Sequence, residues 1–422
     1  MFVFYSFIFA FFLLYLWVQR KFYWMAWKIR GSIGFPFIGI GPLTKAISSR
    51  HQQLYNSPST IWYGPICALY VSDPVNMERI LIAPECTDKA IFTYFLIHNM
   101  GSGLLSNNNP EWSFHRKLLN PMFKKKNLHQ FKTVFKIQAQ HFCENLNKFS
   151  HLKQPLDIKD ILKNCIFSIT CGNNALSQSA VKMMLNPIYR FSTVTKIIDI
   201  DYYNKVQEAL QIVNDFEKMA TLLHIVTLLA MHPEWQDKLF YEIKEGFSDE
   251  DADLTSENLQ NNSLVDMVIK EALRLLPVVP FSGRSTNADL LLFDDVVVPK
   301  GTNIFLDIYS MHRNPKYWGA DALEFNPYRF LRDEIIERHP YVYLPFSKGV
   351  RNCIGWMYAS ISLKVFVTKV FRRFRFTTTS KLDDIKFNYN VASHITPSPK
   401  KTVFSYYKLI QYHSLNLQSL KK

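Results

Sequence analysis

The chain has 422 residues, more than a typical single domain and enough to bury a large core. Lys and Arg number 49 against 35 Asp and Glu, a net charge of +14 that suits an anionic membrane or an acidic protein partner. No zinc-finger spacing or Arg-rich tract directs that charge to nucleic acid. The six cysteines lack disulfide-framework spacing, as expected of reduced cytosolic thiols.

Met1 to Val18 is apolar apart from Ser6, Tyr5 and Tyr15. Its length is near the lower limit for a bilayer span. It has no small-residue cleavage site, and Arg20, Lys21, Lys28 and Arg30 follow rather than precede it. The expectation is an uncleaved N-terminal membrane anchor over 1–18, with the rest of the chain on the cytoplasmic side. Residues 19–42 read as a basic, Pro/Gly-containing linker, since glycines and prolines at the density of Gly31 to Pro42 do not form a helix. Residues 43–422 form the domain. Ile61 to Pro74 predicts two short strands around Gly64-Pro65, and Pro74 to Ile82 a helix.

Trp112 and Arg116 fall at i, i+4 and share a helix face. Their indole N–H and guanidinium suit a carboxylate, although such a pair alone is commonly a surface cation–π contact. Lys124 to Lys126 reads as a solvated charge run. Glu271 and Arg274 share a face of a helix that ends at Pro277. Leu290 to Leu306 predicts strands around the turn Val298-Pro-Lys-Gly301. The segment after Gly355 reads as a helix whose basic residues, Lys364, Lys369, Arg372, Arg373 and Arg375, face solvent.

The stretch Phe346-Ser-Lys-Gly349-Val-Arg351-Asn-Cys353-Ile-Gly355 places one cysteine among glycines and just before a helix. Glycines permit left-handed backbone and close approach, and the positive end of a helix favours a thiolate. A thiolate binds iron. Every defined position resembles the haem-binding signature of the cytochrome P450 superfamily, Phe-x-x-Gly-x-Arg-x-Cys-x-Gly.

That resemblance covers about residues 31–410. It implies a mainly α fold with small β-sheets, the cytochrome P450 fold carrying an N-terminal transmembrane anchor. It makes Cys353 the axial ligand of haem b, iron protoporphyrin IX, with Phe346 and Arg351 beside it. It assigns Trp112, Arg116 and Arg284 to the haem propionates. It assigns Glu271, Arg274 and Arg329, the last from Pro327-Tyr-Arg-Phe330, to a buried structural triad. The Pro/Gly linker would orient the domain on the membrane, and residues 385–409 would form a terminal hairpin touching substrate. Ala230-Met-His-Pro-Glu, Met311-His-Arg-Asn-Pro and Arg351-Asn-Cys-Ile-Gly resemble the microsomal clan of fatty-acid ω-hydroxylases and insect family 4-like enzymes.

The likeness fades from Ser177 to Val213. Too few residues separate Trp112 from Glu271 for the family's full set of helices, which implies internal shortening around 177–213. Counting back from His232-Pro-Glu, the acid–alcohol pair that serves oxygen should lie at 213–217, where the chain reads Val213-Asn-Asp-Phe-Glu217. Asp215, Glu217 and Thr221 are the nearest candidates. The expected function is a haem-thiolate monooxygenase on the cytoplasmic side of the endoplasmic reticulum membrane. It would insert one O2-derived oxygen atom into an apolar substrate such as a fatty acid, hormone-like lipid or xenobiotic. Electrons would come from NADPH through NADPH–cytochrome P450 reductase, with cytochrome b5 as a further partner. Two other readings stay open: a haem-thiolate peroxide isomerase or dehydratase without O2 activation, and a truncated membrane-anchored protein with no activity.

Overall fold

A computed structural model describes residues 2–29, 58–63, 66–91, 104–105, 107–128, 131–150, 220–246, 263–293, 296–379, 381–382, 387–390, 394–397 and 408–411. Helix α1 spans Phe2–Lys28. It continues through Val18, so the residues expected to open a linker are helical. Its first half exposes Phe4, Phe7, Phe11 and Trp17, while Met25 and Ile29 are buried against the domain. Tyr23 stacks on Trp62 with ring centroids 5.1 Å apart, and Lys21 pairs with Asp289 at 2.9 Å. Among the described residues, no helix is long and apolar enough to cross a membrane.

Strands β1 (Ser59–Tyr63) and β2 (Ile66–Val71) pair antiparallel and lead into α2 (Pro74–Ile82). Pro74 pre-sets the first turn, and the Asp73 carboxylate accepts from Asn76 N–H at 2.8 Å. Helices α3 (Glu111–Leu119) and α4 (Phe131–Ser150) follow. Residues 220–231 form α5, then α6 (Pro233–Gly246) and α7 (Ser263–Leu275). Strand β3 (Phe281–Ser285), the hairpin β4 (Leu290–Leu292) and β5 (Val296–Val298), and β6 (Asn303–Asp307) complete the middle of the chain. The four-stranded sheet runs β1-β2-β6-β3, with β6 parallel to β2. A parallel neighbour requires a long crossover, and here it encloses the helices.

Helix α8 (Trp356–Arg373) leads into β7 (Phe374–Thr377). It packs on α4, α6 and α7. Val365, Val367, Val370 and Phe371 are fully buried, each stabilising by roughly 1.5–3 kcal/mol. This central position overturns the solvent-facing basic stripe. Lys364 pairs with Asp266 at 2.8 Å, Arg373 donates to Gln140 at 3.0 Å, and Arg375 donates to Asp237 at 2.7 Å. Strands β8 (Phe387–Asn390) and β9 (His394–Pro397) form a hairpin. Leu409 belongs instead to β10 (Lys408–Gln411), which pairs with β7.

Glu271 and Arg274, both fully buried, form a two-point bridge at 2.7 and 2.8 Å. Arg274 also donates to the carbonyls of His312 (2.7 Å) and Ala322 (2.6 Å). Arg329 approaches Glu271 at 3.6 Å and bonds Asp321 and the Trp318 carbonyl, each at 2.8 Å. Breaking such a buried network strands a charge. Arg274→Ala is therefore expected to cost roughly 3–5 kcal/mol, read as a lowered urea unfolding midpoint and loss of soluble protein.

Asp307 ends β6 and caps the turn that carries Ile308; its carboxyl accepts from Ser310 N–H (2.9 Å) and from the Tyr70 hydroxyl. Burial pushes its pKa up from 3.8 to about 7, against the opposing pull of Ser310, Arg313 and the Tyr309 N–H. The folded value lies above the unfolded one, so this group's contribution is whole below 3.8 and fades as pH rises through about 7. Thermal unfolding midpoints should fall across that window in the native chain and stay flatter in Asp307→Asn.

Candidate active site

The cysteine loop is a tight hairpin pressed onto α2. Ser347 and Gly349 have positive φ (58° and 74°), and Cys353 N–H donates to the Phe346 carbonyl at 2.9 Å. A Cβ at residue 349 would collide with the Leu81 carbonyl, so glycine is required there. Gly355 caps α8 without a side-chain hydrogen bond, and the first turn holds no acid. Cys353, two residues before that cap, lies at the uncompensated positive end of an 18-residue helix. Cys67, Cys86 and Cys143 are buried with thiol pKa values pushed up to about 12 by burial. Cys353 is partly exposed, and it borders a cavity.

The cavity brings together most of the residues singled out by sequence. Trp112 and Arg116 reach it from α3, Phe346, Arg351 and Cys353 from the loop, and Thr221 from α5. Leu104, Leu105, Leu273, Val278, Val279 and Ile308 make its walls largely apolar. Asp215 and Glu217 lie outside the described residues. Glu271, Arg274 and Arg329 stand behind the wall rather than in it; the neighbour of Arg274, Leu273, faces the cavity.

The contacts of these residues go beyond what their spacing implied. Arg116 makes no cation–π contact with Trp112. It donates to both oxygens of Asn352, each at 2.6 Å. The Trp112 ring instead carries Arg351, whose guanidinium carbon is 4.0 Å from the ring centroid. Arg351 donates to the Asn107 carbonyl at 2.9 Å, leaving Nε and Nη2 without partners. Arg284 is 1% exposed and uses Nη1 on Ser282 and the Gly283 carbonyl; its Nη2 has no partner.

Lys89 is the residue the sequence reading missed. It lines the cavity, and a β-bridge between Asp88 and Ser285 lays its segment beside Arg284. A lone lysine in Thr87-Asp-Lys-Ala90 carries no recognisable spacing. Burial, then repulsion by Arg284 and Arg351, drives its pKa well below 10.5. Burial lowers Arg284 to about 10 and Arg351 to about 9, with Arg284 and Arg116 adding to the latter and Asp88 opposing it. No Asp or Glu is among the cavity-lining residues. Three cations, Lys89, Arg116 and Arg351, thus line one largely apolar cavity, Arg284 is buried next to the Lys89 segment, and Arg284 and Arg351 keep unpartnered guanidinium nitrogens. A ligand with two carboxylates and an iron atom for the sulfur, as haem b has, matches this donor set.

A family model described as Cytochrome P450 matches residues 30–215 and 218–404. A Drosophila melanogaster protein described as probable cytochrome P450 313a3 is 31% identical, over 92% of this chain and 96% of the relative. Cytochrome P450 4c21 of Blattella germanica is 27% identical over 78% of this chain and 82% of its own length. Human cytochrome P450 4F12 is 26% identical over 78% and 79%. The Drosophila match runs over 472 aligned positions against a 422-residue chain, so that relative holds residues inside the matched span that this chain lacks. Matched on both sides of its middle and related to the Drosophila protein over nine-tenths of its length, the chain belongs to the cytochrome P450 family.

Proposed function

We propose that the protein is a haem-thiolate monooxygenase acting on an apolar substrate. The carrying observation is a partly exposed cysteine at a helix N-terminus, facing a cavity ringed by cations that lack carboxylate partners. Bound haem supplies the oxygen and electron chemistry. The chain's residues do the rest. Cys353 offers the sulfur to iron. Lys89, Arg284 and Arg351 direct their unused N–H groups to the propionates. Trp112 supports the Arg351 guanidinium from below. The apolar wall excludes water and selects an apolar substrate. Thr221, the alcohol that α5 brings to the cavity, is the candidate for proton delivery.

Several observations support the wider setting. The exposed aromatic half of α1, with Arg20, Lys21 and Lys28 after it, fits a membrane anchor that leaves the domain on the cytoplasmic face of the endoplasmic reticulum. Exposed Lys124 and Lys125 after α3 fit an acidic reductase that passes on electrons from NADPH. The break in the family match at 215–218 and the extra residues of the Drosophila relative fit an internally shortened chain.

The full chain in detergent, reduced and exposed to carbon monoxide, should show the red-shifted Soret band of thiolate-ligated haem, and Cys353→Ser should lose it. No band in the native chain would leave a protein without haem chemistry. A band with hydroperoxide turnover but no NADPH-dependent oxidation would replace the monooxygenase with a peroxide isomerase. Lys89→Gln should weaken binding of hemin to the apoprotein roughly ten-fold, the loss of one charge-assisted hydrogen bond. It should weaken binding of the hemin dimethyl ester much less. Titration of tryptophan fluorescence measures both.

A further inference from the structure

The peptide unit joining Asn352 to Cys353 is held at both ends. Its N–H, that of Cys353, donates to the Phe346 carbonyl at 2.9 Å. Its oxygen, that of Asn352, accepts from Arg116 Nη1 at 2.6 Å. The same guanidinium donates through Nη2 to the Asn352 side-chain oxygen, also at 2.6 Å, so one planar fork grips the main chain and side chain of a single residue. Arg116 is steadied in turn, because its Nε donates to Asn120 Oδ1 at 2.9 Å. Two elements far apart in sequence, α3 and the cysteine loop, meet through this one side chain.

We infer that Arg116 and Asn352 are a positioning pair that fixes the Cys353 sulfur for its metal. This rests on the haem-thiolate reading above and gives Arg116 a task beyond attracting a propionate. A fork on a carbonyl and an adjacent amide oxygen restrains rotation of residue 352, and therefore of the peptide that carries Cys353. Lysine cannot reproduce it, since an ammonium is a point donor rather than a rigid fork. The cation also polarises the peptide next to the sulfur and draws charge from a thiolate there; Arg116 and Cys353 are close enough to interact electrostatically. A guanidinium has five N–H groups, and three are used on Asn120 and Asn352. The remaining two are available to the cavity that Arg116 lines, so holding the loop and meeting a propionate are compatible.

The test uses the full chain in detergent, loaded with hemin, as native protein, Arg116→Gln, Asn352→Ala and the double variant. One readout is the ratio of thiolate-type to blue-shifted Soret band in the reduced carbon monoxide complex. The other is the midpoint potential. Each single variant should lower the ratio roughly ten-fold, the scale of one hydrogen bond to a charged group. The double variant should be no worse than the poorer single one, because the two side chains form one contact. Arg116→Gln should also shift the midpoint potential to more negative values. Arg116→Lys keeps the charge and loses the fork, so it should lower the ratio while binding hemin nearly as tightly as the native chain. Native-like ratios in Arg116→Lys and Asn352→Ala, or effects that add in the double variant, would overturn the pairing and leave the haem reading standing. Absence of the thiolate-type band in the native chain would overturn both.

Discussion

The contact on which the described structure hangs is the guanidinium of Arg274. It binds the Glu271 carboxylate through two N–H groups and reaches the carbonyls of His312 and Ala322 with a third nitrogen. The bridge to Glu271 alone would not favour burial, because two desolvated charges roughly cancel their mutual attraction. The carbonyls change the balance by satisfying donors that the carboxylate leaves over. His312 passes the constraint on. Burial lowers its pKa to about 3, so the ring is neutral, and its Nε2 accepts the N–H of Leu344 at 2.8 Å. Leu344 leads directly into the cysteine loop. A network fixed in α7 thus sets where Phe346 to Gly355 begins.

The cavity shows the opposite electrostatics. Around Glu271 every charge has a partner, whereas around Cys353 the cations repel one another. Like charges a few ångströms apart in a low-dielectric site cost several kcal/mol unless something anionic joins them. The fold holds them there by backbone and packing: Arg284 on β3, the edge strand of the four-stranded sheet, Lys89 on the segment bridged to that strand, Arg351 on the ring of Trp112. Such an arrangement is destabilising alone and stabilising with a dianionic guest. A dianion bound there would relieve the repulsion and add to stability.

Local chemistry decided what could be read from the sequence. Proline at the first turn and an Asp cap place α2 at Pro74–Ile82, where it was expected. The i, i+3 spacing puts Glu271 and Arg274 on one helix face, while the metal role of the ten-residue cysteine stretch and the burial of that pair come from the family resemblance. Three further features have neither signal. The run of α1 past Val18 depends on Tyr23 and Met25 finding Trp62 and the sheet, a tertiary event. The basic residues of α8 and β7 find remote partners: Lys364 meets Asp266 of α7, Arg373 meets Gln140 of α4, and Arg375 meets Asp237 of α6. Lys89 joins the cavity only because the Asp88–Ser285 bridge carries it to Arg284. In each case the partner is remote in sequence, and local spacing gives no sign of it.

Thr221 stands on α5, the helix that opens the described part of the second matched segment, and something must hold that helix against the cavity. The structure answers from the C-terminal side. Gln236, fully buried on α6, donates through Nε2 to the carbonyls of Leu229 and Phe376, each at 3.0 Å, and accepts from Phe376 N–H at 2.8 Å. Its amide is satisfied on both sides, and it pins the end of α5 to β7. Further along α5, His224 donates from Nδ1 to the Leu276 carbonyl at 2.9 Å. Burial lowers its pKa to about 4, so that donor persists as a neutral ring at physiological pH. Thr221 lies one turn before His224. Its place on the cavity is set by contacts with α6, α7 and β7, all downstream of the segment where the family match breaks. These described contacts are enough to place the start of α5, and with it Thr221, on the cavity wall.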